Sequence, residues 1–405
     1  MKVGILAQDF TGWGGGIDFL RTVIDSLLSA PRAKGAEVHV LIPDWGPKLA
    51  WRKLRRGTKQ AVRSLVSGKP APPEFAPPSA MVHAALAEFA GRIVIQRIDV
   101  GRGPRLRAVK RLGLDVVLPA LHSLGIDFPR PWVAYAYDFQ HKYFPEHFTP
   151  ESRRSRDQHF SEILTTARAA IVNSRAAAAD IAKFVPEATA RIFALPFSPA
   201  PSPDWGTEHP DALTRHGVGG RFFLISNQFW AHKDHATAFA AFRIAAARAP
   251  DITLICTGST VGQNGTAEFD TLMAKVKAWG LEPRVRSLGL IPKRDQIEIM
   301  KNARAVVQPT LFEGGPGGGA VYDAVSLGVP VIVSDIPVNL EVEAEHLTFF
   351  PAGNADALAE KMTGQLNTPV VRPAWSALAA AGRRRRAASG EVLWNAIDCA
   401  IELVS

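Results

Sequence analysis

The sequence predicts an α/β protein of two parallel-sheet domains, and three observations carry that prediction. Short apolar runs alternate with helical stretches along most of the chain, the pattern of parallel strands joined by crossover helices. A proline cluster from Pro196 to Pro210 interrupts the alternation, which restarts beyond it, as a linker between domains would. The length of 405 residues suits two or three domains at roughly 150 residues each.

In the first half, strands are expected at Val3–Ala7, Glu37–Ile42, Ile93–Ile98, Val116–Pro119 and Trp132–Tyr137, with a helix over Ile17–Ser29. Lys48–Ser67 has helical spacing with cations on several faces, and the proline-rich stretch from Lys69 to Pro78 reads as a flexible segment. Glu151–Lys183 is helical, interrupted by a strand from Ala169 to Ser174. In the second half, strands are expected at Phe222–Ser226, Ile252–Thr257, Val285–Leu288, Ala305–Gln308 and Val329–Val333. Helices fall at His235–Arg248, Thr266–Trp279, Asp295–Asn302 and Leu358–Leu366, and a closing helix at Gly390–Val404. The implied divisions are residues 1–200, 201–385 and 386–405.

Hydrophobic residues make up 47% of the chain and charged residues 21%, the balance of a soluble globular protein. No apolar stretch approaches the ~20 residues that cross a bilayer. The N-terminus opens as a short strand, which does not suit a signal-peptide core. Two cysteines in apolar surroundings, Cys256 and Cys399, make a reducing cytoplasm the simplest compartment. The net charge of +9 is uneven: residues 1–200 hold 28 Lys/Arg against 17 Asp/Glu, and residues 48–111 hold 15 against three. That surplus points to an anionic partner for the first domain. Trp51, Leu54, Val62 and Leu65 recur among cations at loose helical spacing, which suits peripheral docking on an anionic membrane surface. Nucleic acid is not expected, since the stretch lacks interleaved aromatics and any recognisable module.

The most informative run is Gln308 to Val338. A strand ends at Gln308, a loop follows with Glu313 and six glycines or prolines before Ala320, and a helix carrying Asp323 precedes the next strand. Such a loop presents bare backbone N–H groups at a helix N-terminus, a ready anion site, and its acids can hold hydroxyl groups. The combination reads as a nucleotide-sugar pocket. Gly14-Gly15-Gly16 follows the first strand but fails the dinucleotide spacing, so a nicotinamide cofactor is not expected. Asp138 and His141 follow the strand ending at Tyr137, at the strand end where open α/β sheets bind ligands; the alternative is that they cap the following turn. No Asp-x-Asp, His-Glu-x-x-His or cysteine pair offers a metal site; His232 and His235 have ligand spacing but no third partner.

Phe312-Glu313-Gly314-Gly315, then Asp323-Ala324, then Leu327-Gly328-Val329-Pro330-Val331-Ile332-Val333-Ser334 resembles the signature of the retaining family 4 (bacterial group 1) glycosyltransferases. That family has the GT-B fold: two Rossmann-like domains whose parallel sheets face a central cleft, with a final helix crossing back to the first domain. Two departures stand out, since nine residues rather than seven separate the two acids, and the second is Asp rather than Glu. The resemblance implies that Glu313 holds the sugar and Asp323 the ribose. It places Lys233 on the donor pyrophosphate and Gln228 where the family has an Arg. Gly15, Gly16, Gly314, Gly315, Gly317 and Gly318 would lend backbone amides to the donor. Asp138 and His141 would face sugar and acceptor, orienting or deprotonating an acceptor hydroxyl.

The implied activity is transfer of a hexose or deoxyhexose from a UDP- or GDP-sugar to a glycan or lipid-linked acceptor in bacterial surface polysaccharide synthesis. It would proceed with retention and without a metal or resident cofactor. The alternatives are another enzyme on the same fold, such as a nucleotide-sugar epimerase or a phosphorylase, and a polyanion-binding protein.

Overall fold

A computed structural model describes residues 1–10, 14–44, 78–99, 101–262, 265–369 and 371–402. The expected basic helix Lys48–Ser67, the proline-rich segment up to residue 77 and the membrane-docking stretch around Trp51 lie outside the described residues.

The first domain runs β1 (Lys2–Leu6), α1 (Gly14–Ser29), β2 (Glu37–Asp44), α2 (Pro78–Ala85), β3 (Val94–Asp99), α3 (Arg102–Leu112), β4 (Val116–Ala120) and β5 (Trp132–Tyr135). It continues with α4 (Gln140–Tyr143), α5 (Pro150–Thr166), β6 (Ala169–Val172), α6 (Arg175–Phe184) and β7 (Arg191–Ala194). Its sheet is parallel, in the order β3-β2-β1-β4-β5-β6-β7. The second domain runs α7 (Asp211–Arg215), β8 (Arg221–Ser226), α8 (His235–Arg248), β9 (Ile252–Thr257), α9 (Ala267–Ala278), β10 (Val285–Ser287) and α10 (Lys293–Asn302). Then come β11 (Val306–Gln308), α11 (Gly318–Ser326), β12 (Val331–Ser334), β13 (Leu347–Phe350) and α12 (Ala355–Asn367). Its parallel sheet has the order β10-β9-β8-β11-β12-β13, the doubly wound arrangement. The architecture is GT-B, two Rossmann-like domains.

Both sheets are sandwiched by helices, so their strands read as unbroken apolar runs rather than alternating ones. Val116, Val117, Leu118 and Ala120 of β4 have no exposed surface, nor do Phe223, Leu224 and Ile225 of β8. Burying each large side chain of this kind stabilises the fold by ~1.5–3 kcal/mol. Two strands, β7 and β13, escape prediction. Each is a four-residue edge strand that buries at most one residue fully, too short an apolar run to register. The region expected as one interrupted helix resolves into α5 and α6. Their connection ends β6 at Val172, and Ser174 accepts a hydrogen bond from the Ala177 amide as the N-cap of α6.

The closing helix α13 spans Trp375–Glu402, starting at Trp375 rather than Gly390. Its four consecutive arginines hide the helical pattern, yet Arg386 turns inward and pairs with Asp25 at 3.2 Å. The helix packs on α1 and on β4 to β7, so it crosses back to the first domain. Gly390 makes the closest approach: a Cβ there would lie 2.1 Å from the Ser26 carbonyl oxygen. The buried Trp394 donates its indole N–H to the Leu27 carbonyl at 3.2 Å. No helix among the described residues is long and apolar enough to cross a membrane.

Candidate active site

The strand order of the second sheet reverses between β8 and β11, and ligands of open α/β sheets bind in the crevice beyond that point. The loops leaving these two neighbouring strands carry Lys233 and Glu313. Beyond β8 the chain turns through Ala231–Lys233 to Asp234, a non-glycine residue at φ 48°, whose side chain accepts the Thr237 amide as the N-cap of α8. Aspartate tolerates this left-handed conformation better than most residues. The two loops are tied by the His232 carbonyl, which accepts from the Leu311 amide at 2.8 Å and the Thr310 hydroxyl at 3.1 Å.

Lys233 Nζ donates to Glu313 Oε1 at 2.5 Å, and both side chains are about nine-tenths buried. Gln308 Nε2 donates to the same oxygen at 2.9 Å, while its own amide oxygen accepts from Asn227 at 2.7 Å. The carboxylate is therefore fixed from two sides, and its other oxygen has no hydrogen bond among the described residues. Gln228, at the position where the resemblance has an Arg, lies between Asn227 and the turn and is half-buried.

The glycines of the loop have distinct tasks. At Gly314 a Cβ would lie 2.5 Å from the Tyr137 carbonyl oxygen and 3.0 Å from Asp138 Cβ, so only glycine lets the loop lie against the first domain. Gly315 approaches Asn173 in the same way. Gly317 adopts φ +66°, and its N–H donates to Asn339 Oδ1 at 2.9 Å. Asn339 is fully buried and anchored to Ser334, so this amide is committed to the protein. Gly318 opens α11 with its Cα beside the Glu313 carboxyl group.

The longer loop separates the two acids. Asp323 falls in the second turn of α11 and forms an ion pair with Lys293, at the start of α10, rather than joining Glu313. Burial raises the Asp323 pKa, and Lys293 opposes that rise; Asp18 and Arg21 of α1 also act on it from the first domain. Gly15 and Gly16 lie at the start of that helix, Gly15 exposed and Gly16 buried.

Across the cleft, Asp138 accepts from Arg156 Nη2 at 2.6 Å and from the Gln140 amide at 3.0 Å. The second contact is the turn cap foreseen as the alternative. Arg156 Nε also donates to His141 Nδ1 at 3.1 Å, which leaves His141 Nε2–H to face Asp157 Oδ1 at 2.8 Å. The ring is 2% exposed, and both its nitrogens are engaged within the protein. Burial lowers its pKa, partly opposed by Asp157, so the ring is neutral near pH 7. Asp138 and His141 are thus joined through one guanidinium, and it is Asp138 whose Cβ lies beside the glycine loop.

Further contacts bind the cleft walls. Gln140 of the first domain bonds His232 Nδ1 of the second at 2.8 Å, and Phe312 packs on Tyr143 at 5.7 Å between ring centres. Glu341 reaches from the second domain to the N-terminus of α6, accepting from the Arg175 and Ala176 amides at 2.9 and 2.8 Å. His235 is not a ligand candidate, since it stacks on Phe229 at 4.0 Å. No group of three His, Cys, Asp or Glu among the described residues is placed to hold a metal. Sequence reasoning missed Arg156, Lys293, Asn339 and Glu341. The first two sit in charged helical stretches that read as solvated faces, and no local signal marks the last two.

Comparison with known proteins agrees with this geometry. The family described as Glycosyl transferases group 1 matches residues 214–383, the greater part of the second domain. No curated protein sequence matches the chain. Among solved structures, HepE of Anabaena in complex with UDP and glucose is similar at 16% identity and TM-score 0.58, over 100% of this chain and 98% of that one. Sucrose-phosphate synthase of Thermosynechococcus elongatus is similar at 17% identity and TM-score 0.60, over 100% and 97%. WaaG, a glycosyltransferase involved in lipopolysaccharide biosynthesis, is similar at 15% identity and TM-score 0.54, over 96% and 95%. The second domain is a group 1 glycosyltransferase domain, and the protein is a glycosyltransferase.

Proposed function

We propose that this enzyme transfers a hexose or deoxyhexose from a UDP- or GDP-sugar to a glycan or lipid-linked acceptor, with retention of configuration, in surface polysaccharide synthesis. The observation that carries the reading is the Lys233–Glu313 pair, set at the switch point of the second sheet beneath a glycine loop that lies against the Tyr137 carbonyl and the Cβ of Asp138. HepE is described with UDP and glucose and with UDP-glucose, which supports a nucleotide-sugar donor. WaaG supports the surface-glycan setting.

In this reading Lys233 stabilises the charge that grows on the pyrophosphate as the glycosidic bond breaks, and the free oxygen of Glu313 holds a sugar hydroxyl. Loop amides not committed to the protein share the phosphate load. Asp323, braced by Lys293, takes the ribose, and Gly15 and Gly16 approach the donor from the first domain. Asp138, gripped by Arg156, orients the acceptor hydroxyl. The new bond from that oxygen to the anomeric carbon forms on the face the leaving group vacates, and the hydroxyl proton passes to the departing phosphate oxygen. His141 acts through Arg156 as a positioning residue. The charge is carried by lysine and amides, so no metal is required.

A thermal-shift screen against UDP, GDP, ADP and TDP, with and without EDTA, tests this. One nucleoside diphosphate should raise the melting temperature by mass action, equally in EDTA. No shift with any of them would sink the donor site.

A further inference from the structure

Beside the candidate active site, the first domain carries a cavity of about 370 Å³ that the donor chemistry does not use. His141, Lys142, Pro150, Arg153, Arg154 and Asp157 line it. Three cations face one carboxylate there. Asp157 is already shared between Lys142 at 2.7 Å and His141 at 2.8 Å. Arg154 makes only an exposed contact to Glu151 at 3.3 Å, with both side chains about three-quarters exposed, which holds it weakly. Arg153 has no hydrogen-bonded or ion-paired side-chain partner among the described residues, and its Nε is shielded from water and unpaired. A shielded donor without an acceptor is unusual in a folded protein and calls for an explanation.

The position supplies one. Arg153, Arg156 and Asp157 follow each other on α5, so Arg156 turns to Asp138 while Arg153 and Asp157, one helical turn apart, face the cavity. His141 belongs to both places: it lines the cavity and hydrogen-bonds the guanidinium that grips Asp138. A phosphate offers several acceptor oxygens that match a guanidinium fork and a nearby ammonium. A neutral sugar would leave the unpaired Arg153 guanidinium unanswered.

We propose that this cavity is a second anion subsite, binding a phosphate group carried by the acceptor substrate and anchored by Arg153 with Lys142 and Arg154. The assignment rests on the glycosyltransferase reading, with Asp138 on the acceptor side. It makes the acceptor a phosphorylated molecule, either a soluble phosphosugar or a lipid-borne phosphate.

The test titrates the full chain, saturated with whichever of UDP and GDP binds, with a hexose 6-phosphate and with short-chain phosphatidic acid. R153Q and R153E are compared with wild type, and melting temperature is followed throughout. At least one phosphate should bind in 1:1 ratio; R153Q should weaken it about tenfold and R153E abolish it, with nucleotide affinity unchanged. Preference for the hexose 6-phosphate assigns a soluble acceptor, and preference for phosphatidic acid a lipid-borne one. Failure of both phosphates to bind wild type, or wild-type affinity in a folded R153E, overturns the subsite. Absence of nucleotide binding in the first step would instead refute the transferase reading, and the phosphate titration is then run on the unliganded chain.

Discussion

Arg156 holds Asp138 and His141 at once, so the orientation of both rests on a third side chain. Its guanidinium sits over the faces of Tyr137 and Phe148, 4.9 and 5.2 Å from the ring centres, which fixes the plane of its donors. A lysine could reach one partner but not both. Arg156→Gln should therefore lower the transfer rate roughly 10- to 100-fold, the worth of a charge-assisted hydrogen bond. Nucleotide affinity should stay unchanged, because Arg156 is not among the groups proposed to hold the donor. Equal loss of nucleotide affinity, measured by calorimetry, would mean that the substitution collapses the cleft rather than releasing Asp138. The sequence singles out Asp138 and Glu313 because each follows a strand end, and Lys233 because it stands where the resemblance has a lysine. It did not reveal Arg156, whose neighbours Arg153, Arg154 and Asp157 make a charged run that looks like any solvated helix face.

At the scale of elements, buried apolar strands were legible almost to the residue: Ile252–Thr257 is the strand expected, as His235–Arg248 is the helix. Edge strands β7 and β13 were not, because half-exposed four-residue strands carry little periodicity. The closing helix was read only in its apolar second half, where it meets α1. That contact is also where it is most vulnerable. Gly390→Ala would place a methyl group 2.1 Å from the Ser26 oxygen, and backbone on one side or the other must move. Overpacking of this kind costs ~1–3 kcal/mol, so the melting temperature should fall by several degrees. An unchanged melting temperature would show that α13 sits farther from α1 than described.

The whole molecule is held closed by contacts that cross the cleft, several of them polar and one dependent on a neutral histidine. Burial, with Lys233 and His147 nearby, depresses His232 to about 3, and burial takes His235 to about 3 and His159 to about 4. Each binds fewer protons folded than unfolded at mildly acid pH. The stability they lend is present above the ordinary histidine value of about 6.5 and is lost as pH falls toward the folded values. Between pH 7.5 and pH 4.5 the melting temperature should drop by roughly 5 °C or more, and a flat profile over that range would contradict the buried, neutral state of these rings. The donor site is the claim on which the rest depends, and Lys233 is its narrowest point. Calorimetry of the preferred nucleoside diphosphate with wild type, Lys233→Ala and Glu313→Ala tests it directly. Lys233→Ala should weaken the nucleotide about tenfold or more, while Glu313→Ala binds it as wild type does and loses turnover. Wild-type nucleotide affinity in a folded Lys233→Ala would contradict the account, because the charge at the switch point would then serve only Glu313.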